Sequence, residues 1–223
     1  AMKSNSKPNS VGIDVVGIGN AIVDVIVYTE DSFLDSNSLN KGNMTLLDEN
    51  QAERLYSKVG QGVKSSGGSV ANTLAGISQL GGNTAFIGRV KDDDLGSIFS
   101  REISNTGTIF ETPPTLEGPS TARCLILVTP DAERTMCTYL GASVFLEPKD
   151  LDFSIIEKTK ILYLEGYLFD NESAKESFYT AAKFAKKANK RVSLSLSDSF
   201  CVDRHREDFL NLINKYVDIL FAN

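Results

Sequence analysis

Two stretches of the sequence place polar groups and glycines where chemistry could occur. In VVGIGNAIVDV the carboxylate of Asp24 interrupts an apolar run, and in SSGGSVANT the pair Gly67 and Gly68 precedes Asn72 where a helix pattern opens. Backbone N–H groups beside glycines can approach a ligand closely, and an asparagine amide both donates and accepts hydrogen bonds. A buried carboxylate without a partner is costly, so Asp24 is expected to meet a ligand hydroxyl. The structural alternatives are a salt bridge for Asp24 and a simple turn and helix cap for the glycines.

Three other titratable side chains could also carry chemistry. Glu165 lies in YLEGY at the end of a strand pattern, where it can reach a ligand or cap the next turn. Arg134 lies in the turn TPDAER. It is a solvated tip by default, or a stabiliser of transferred charge if the turn closes over a phosphate donor. His205, the one histidine, lies in DRHRED and is expected to be a solvated loop residue.

The stretch GIGNAI offers a competing interpretation, because it begins like the G-x-G-x-x-G fingerprint of dinucleotide-binding folds. That fingerprint needs a tight turn followed by a helix. Here Ile22 occupies the third glycine position, and residues 23–28 are rich in β-branched and aromatic side chains. Such a composition predicts a second strand after the glycine kink. A nicotinamide-dependent oxidoreductase therefore stays open as a weaker hypothesis.

The elements that must position these residues follow an alternating order. From residue 66 onward, apolar runs such as TAFIGRV, KILYLEGYLF, RVSLSLS and VDILFAN alternate with helix patterns. In SAKESFYTAAKFAKKANK, Ser173 and Glu176 predict a capping box and the closing lysines predict a helix end. Repeated β-α-β units predict an α/β fold with a parallel sheet covered by helices on both faces.

Two segments depart from that order. NMTLLD (43–48) predicts a short strand, and TARCLILVTPDAERTMCTYLGAS (121–143) predicts a hairpin. Together with residues 23–28, these strands are expected to form a small separate sheet. Because ligands bind at the carboxyl ends of parallel strands, such a sheet predicts a lid over that edge.

Composition narrows the class of protein. The 223 residues are 41% hydrophobic, with a formal net charge of −6, which disfavours a nucleic-acid partner. The three cysteines form no C-x-x-C pair, as is typical of a reducing compartment. The sequence shows neither an apolar run of membrane-spanning length nor a signal-peptide pattern. A cytoplasmic protein with no membrane partner is expected.

Taken in order, the motifs resemble the ribokinase-like (PfkB) family of carbohydrate and nucleoside kinases. GNAIVDV is similar to the family's first strand, with Asp24 as its substrate-binding aspartate, and SSGGSVANTLAGISQLGG is similar to its first signature. FIGRVKDDDLG is similar to a third element, with Lys91 where the family usually has glycine. GNAIVDV, VTPDAERTM and LSDSFCVDRHR look most like the bacterial adenosine kinase branch.

The resemblance implies roles for single residues. Gly67, Gly68 and Asn72 would line the sugar site with Asp24, and Glu165 falls where some members place a carboxylate against the sugar. LFAN would begin the N-x-x-E element that organises magnesium and phosphate, which makes Asn223 a cofactor-binding residue. The family's general base should lie beyond residue 223, so no catalytic base is named, and Arg134 is a candidate phosphate contact.

The implied domain covers residues 11–223, is expected to be incomplete at its C-terminal end, and carries lid insertions near 23–30, 42–48 and 108–142. The implied reaction moves the γ-phosphoryl group of ATP, with Mg²⁺, to a primary hydroxyl of a nucleoside (adenosine favoured) or a ribose-like sugar. Two alternatives stay open: a kinase of a free sugar such as ribose or fructose, and a non-catalytic nucleoside- or sugar-binding module. A homodimer through the lid is also left open.

Overall fold

The computed structural model describes residues 12–59 and 62–222. In chain order, the strands in this part of the chain are β1 Ile13–Ile18, β2 Ile22–Tyr28, β3 Met44–Leu46, β4 Val63–Gly67, β5 Thr84–Ile87, β6 Ile109–Phe110, β7 Ala122–Val128, β8 Arg134–Tyr139, β9 Thr159–Glu165, β10 Arg191–Ser195 and β11 Ile219–Phe221. The α-helices are α1 Asp31–Ser36, α2 Glu49–Lys58, α3 Ser69–Gln79, α4 Asp94–Asn105, α5 Phe153–Lys158, α6 Glu172–Lys187 and α7 Ser199–Tyr216. None of these helices is long and apolar enough to cross a membrane.

Six strands form a parallel core sheet in the order β11-β10-β9-β1-β5-β6. The middle of its central strands β1 and β9 is apolar because helices cover both faces. One face packs into a cluster with Leu162, Phe178 and Phe209, and the other into a cluster with Leu74 and Phe99. The predicted α/β class is confirmed.

Five strands form a second, mixed sheet in the order β3-β8-β7-β2-β4. Strands β2 and β7 are parallel, whereas β7 and β8 form the predicted antiparallel hairpin. Alternation along β2 buries Val23 and Val25 beneath the sheet and turns Ile22 and Asp24 to its other face. The predicted strand at residues 23–28 is confirmed. Because β2 follows GIGNA directly, no helix stands where the dinucleotide fingerprint requires one, and that interpretation of GIGNAI is wrong.

Two local predictions near the C-terminal helices are also wrong. The N-cap of helix α6 is Asn171, two residues before the proposed N-cap Ser173, and its side chain accepts a hydrogen bond from the backbone N–H of Ser173 at 3.0 Å. His205 lies inside α7 and not in a loop. Its Nε2 is 2.6 Å from Asp170 Oδ1, and its ring packs against Phe169.

Candidate functional site

A cleft of about 380 Å³ opens between the core sheet and the mixed sheet, at the carboxyl edge of the core strands. This is the edge where open α/β sheets bind ligands. The loops that follow β1, β9 and β10 supply one side, and β2, β3 and β8 supply the other. The lining residues are Asn20, Ile22, Met44, Leu46, Gly68, Ser69, Thr138, Leu140, Glu165, Tyr167, Asp170, Asp198, Phe200 and Arg204.

Glu165 is the buried acidic group of this cleft, with a side chain that is 2% exposed. Its carboxylate accepts hydrogen bonds from the backbone N–H of Asn20 at 2.8 Å and from the Ser69 hydroxyl at 2.9 Å. Burial raises the pKa of Glu165, and these hydrogen bonds oppose that shift. The carboxylate therefore joins the kink after β1 to the first residue of α3.

Replacing Ser69 with alanine is expected to lower the free energy of unfolding by about 1–3 kcal/mol, because it removes a hydrogen bond to a buried carboxylate. Thermal and denaturant unfolding would measure the loss. Ser97→Ala is the matched control, because Ser97 is exposed on α4 and should change stability by less than about 0.5 kcal/mol. Equal melting of the two variants would contradict a stabilising role for the Ser69–Glu165 hydrogen bond.

Asp24 lies two residues along β2 from the cleft-lining Ile22 and on the same face of the strand, but it is not itself among the residues that line the cleft. A Cβ atom added at Gly67 would fall well inside 3.0 Å of the Asp24 carboxylate, so the absence of a side chain there makes room for it. Burial raises the pKa of Asp24 to about 6, with no compensating partner among the described residues. The salt bridge that would explain Asp24 structurally is thus not found in residues 12–59 and 62–222.

Gly68 lines the cleft, whereas Asn72 does not. Gly68 lines it with φ +99°, a backbone conformation that other residues rarely adopt. Asn72 is exposed on the first turn of α3, and its backbone N–H donates to the Gly68 carbonyl at 3.0 Å. Its side chain is beside the cleft and not among the groups that line it. The binding roles of both residues stay predictions.

The remaining predicted site residues are remote or outside the described chain. Arg134 is exposed at the first position of β8, paired with Val128, and is not among the residues that line the cleft. Asn223 lies outside the described residues. Within the described ranges, no three His, Cys, Asp or Glu side chains gather into a metal site, so no metal ligand is assigned to this part of the chain.

Sequence reasoning missed the part of the cleft that follows β9 and β10. Tyr167 and Asp170 lie in a 3₁₀ turn after β9, and Asp198, Phe200 and Arg204 lie at the start of α7. A usable signal was present, because both segments follow strands of the parallel sheet at its ligand-binding edge. The expectation that DRHRED lies in a loop hides this start of α7.

A parallel sheet with a cleft at its carboxyl edge, bounded by a mixed sheet whose strands are inserted after β1 and after β6, is an α/β architecture built to hold a small molecule. Residues 14–223 match the model of the pfkB family carbohydrate kinases. The chain belongs to that family.

The names of two curated relatives indicate different phosphate acceptors, a nucleoside in one and a sugar in the other. Guanosine-inosine kinase of Escherichia coli (strain K12) is 26% identical over 220 residues, which are 94% of this chain and 50% of that protein. Probable fructokinase-6, chloroplastic, of Arabidopsis thaliana is 32% identical over 162 residues, 67% of this chain and 40% of that protein. The chain thus spans about half the length of these relatives.

Solved structures give the same fold. Adenosine kinase from Sinorhizobium meliloti is 47% identical, with a TM-score of 0.83, over 96% of this chain and 65% of that one. Anopheles gambiae adenosine kinase, in complex with P1,P4-di(adenosine-5) tetraphosphate, is 25% identical, with a TM-score of 0.76, over 93% of this chain and 63% of that one. The predicted resemblance to ribokinase-like kinases, including their adenosine kinase-like members, is confirmed.

Proposed function

We propose that the protein transfers the γ-phosphoryl group of ATP to a primary hydroxyl of a nucleoside, with adenosine as the favoured acceptor. The observation that carries this proposal is the composition of the cleft. The cleft combines groups suited to sugar hydroxyls, namely Glu165, Ser69 and the Gly68 backbone, with exposed apolar and aromatic side chains, Leu46 on the side of the mixed sheet and Phe200 on the opposite side. The similarity to adenosine kinase from Sinorhizobium meliloti supports the same acceptor.

The proposed roles follow from position. Asp24 would accept hydrogen bonds from the sugar, since its carboxylate has no partner among the described residues and lies on the same face of β2 as the cleft-lining Ile22. Gly67 leaves room for that carboxylate, and Gly68 lets the backbone approach the ligand. Asn72 and Glu165 would complete the sugar site. Phosphoryl transfer depends on holding donor and acceptor in line, and these residues act on the acceptor alone.

The phosphate donor and its metal ion are inferred from the kinase family. ATP is the phosphate donor that the kinase family implies, and Mg²⁺ would supply charge neutralisation of its phosphates. Arg134 would contact phosphate and Asn223 would belong to the cofactor site. No step is assigned to a metal ligand or a general base among residues 12–59 and 62–222.

We also infer that the mixed sheet acts as a lid. Strands β2, β3 and β8 supply Ile22, Met44, Leu46 and Thr138 to one side of the cleft, so their approach would exclude water from the acceptor. The insertions near 23–30, 42–48 and 108–142 would form this lid. A homodimer through it stays a prediction, for which the exposed Tyr28 (81%) and Val63 (68%) are candidate contacts. Light scattering on purified protein would measure the assembly.

A kinase of a free sugar is the second candidate, since probable fructokinase-6 of Arabidopsis thaliana is among the relatives. For such a substrate the groups suited to sugar hydroxyls alone would suffice. A binding module without catalysis is the third. The three differ in what ADP release would show.

The test is ADP release from ATP and magnesium by protein expressed from its complete natural reading frame, with adenosine, inosine, ribose and fructose as acceptors. Release with adenosine, at lower KM than with either sugar, is expected. Release with ribose or fructose alone would overturn the nucleoside proposal in favour of the second candidate. Nucleoside binding by calorimetry without ADP release would favour the third.

A further inference from the structure

Arg204 is held rigidly at the wall of the cleft formed by the loops after β9 and β10. Its Nε donates to Asp170 Oδ1 at 3.0 Å and its Nη2 donates to Asp170 Oδ2 at 2.8 Å, a bidentate pair that fixes the plane of the guanidinium. The same carboxylate is 2.6 Å from His205 Nε2. Asp170 is therefore fixed in turn by the helix that carries Arg204.

The ion pair with Asp170 leaves some N–H donors of Arg204 without an acceptor among the described residues. A guanidinium has five N–H groups, and the fork to Asp170 uses one on Nε and one on Nη2. No other acceptor for Arg204 lies among the described residues. Its side chain is 51% exposed, and it lines the cleft together with Asp170. A donor set that is oriented, accessible and unused is a recognition element for an acceptor atom on a ligand.

Arg204 lines a different part of the cleft from the sugar-binding groups. Along the carboxyl edge, the strand order β10-β9-β1 places α7, which follows β10, two strands away from the loop that holds Asn20. Adjacent strands are about 4.8 Å apart, so the ends of β10 and β1 are separated by about 10 Å. Phe200 is 73% exposed and Tyr167 is 40% exposed, and both line the cleft as flat surfaces against which an aromatic base can stack.

We propose that Arg204, positioned by Asp170, is a specificity-determining residue that donates a hydrogen bond to an acceptor atom of a purine base. The inference rests on the proposed nucleoside kinase function and adds to it the residue that reads the base. Purines present ring nitrogens, N7 among them, as acceptors, and arginine is a common donor to such edges.

The first experiment compares Arg204→Met with Arg206→Met in the protein from its complete reading frame. Methionine keeps an unbranched apolar stem and removes the donors. Arg206 is the matched control, because it lies on the same helix, pairs with Asp203 and is not among the residues that line the cleft. Arg204→Met is expected to raise the KM for adenosine about tenfold or more with kcat changed less, since hydrogen bonds to charged groups are the stronger class. Arg206→Met should leave KM unchanged.

The second experiment identifies the contact. Wild-type protein should bind 7-deazaadenosine or 1-deazaadenosine more weakly than adenosine, depending on which nitrogen accepts. Arg204→Met should show no further loss for that analogue, the non-additivity that marks a direct pair. Arg204→Lys keeps the charge without the bidentate fork, and an intermediate KM in a normally melting protein would support the proposal.

Three outcomes would overturn it. The first is a wild-type KM for adenosine in Arg204→Met. The second is an equal rise of KM in the Arg206→Met control. The third is an Arg204→Met protein that, in calorimetry, loses as much affinity for every deaza analogue as it loses for adenosine. In each case a wild-type protein that still phosphorylates nucleosides leaves the proposed function standing. Silence of the wild-type protein with every acceptor would overturn the proposed function and this inference together.

Discussion

Replacing Asp24 with asparagine is expected to lower kcat/KM for the nucleoside about a hundredfold or more and, unusually, to stabilise the fold at neutral pH. Asparagine keeps the size of the side chain and removes its charge. A hydrogen bond from a substrate hydroxyl to a carboxylate contributes about 1.5–3 kcal/mol, and two such bonds account for a loss of that order. Steady-state kinetics would measure it.

The stability effect follows from the pKa of the same group. Burial raises the pKa of Asp24 from an ordinary 3.8 to about 6. The folded state therefore binds the proton more tightly than the unfolded state. The contribution of the protonated Asp24 to the free energy of unfolding is fully present below pH 3.8 and is lost as pH rises through about 6. Asparagine does not ionise, so the stability of the variant should exceed that of the wild type by about 1–3 kcal/mol at pH 7.5, and the difference should vanish below pH 3.8.

Asp14→Asn is the matched control, one strand earlier. Asp14 accepts hydrogen bonds from the backbone N–H of Asn83 and from Lys160, which together lower its pKa. Its replacement should therefore lose stability at neutral pH and leave kinetics unchanged, the reverse of Asp24→Asn. An Asp24→Asn protein with wild-type kinetics would refute the binding role, and one that melts earlier at pH 7.5 would show that the carboxylate has a structural partner.

Much of the fold could be predicted because its strands carry their own signal. The middle of β1 and of β9 is apolar, as strands buried on both faces must be, and the turn between β7 and β8 separates two strand patterns. Strand β4 could not be predicted, because VKSSG has neither alternation nor β-branched residues beyond Val63. It forms because the backbone of β2 pairs with it, a tertiary effect that local propensity does not contain.

Some residues of the candidate site could likewise be predicted from the sequence, and others could not. Asp24, Gly67, Gly68 and Glu165 could be proposed because each interrupts a regular pattern within a strand, at a strand end or at a helix start. Arg204 could not, because its partner Asp170 is 34 residues away and the helix that carries it has non-helical dihedral angles at His205. A polar, kinked first half of a helix has the sequence character of a loop, and only the packing of the 3₁₀ turn against α7 brings the two side chains together.

Replacing Gly68 with alanine is expected to destabilise the fold by about 3 kcal/mol and to remove nucleoside binding. Gly68 has φ +99° and ψ 146°, a region almost confined to glycine, and strain of this kind costs about 1–3 kcal/mol. An added Cβ would also fall well inside 3.0 Å of the Asn20 carbonyl oxygen. Because that obstacle is backbone, relief requires the kink after β1 to move, and this kink also holds Glu165 through the Asn20 N–H. The melting temperature should fall by about 6–12 °C.

Gly76→Ala provides the matched control within the same helix. Gly76 is in the middle of α3, and a Cβ there would meet nothing within 4 Å. Alanine in a helix interior should therefore stabilise by about 0.5–1 kcal/mol and leave nucleoside binding unchanged. Opposite signs for two glycine-to-alanine changes eight residues apart would separate the backbone requirement at the cleft from the general preference of helices for alanine. A Gly68→Ala protein that melts and binds like the wild type would show that the chain at the helix start can leave its positive φ, and the close backbone approach proposed for the ligand would then have no basis.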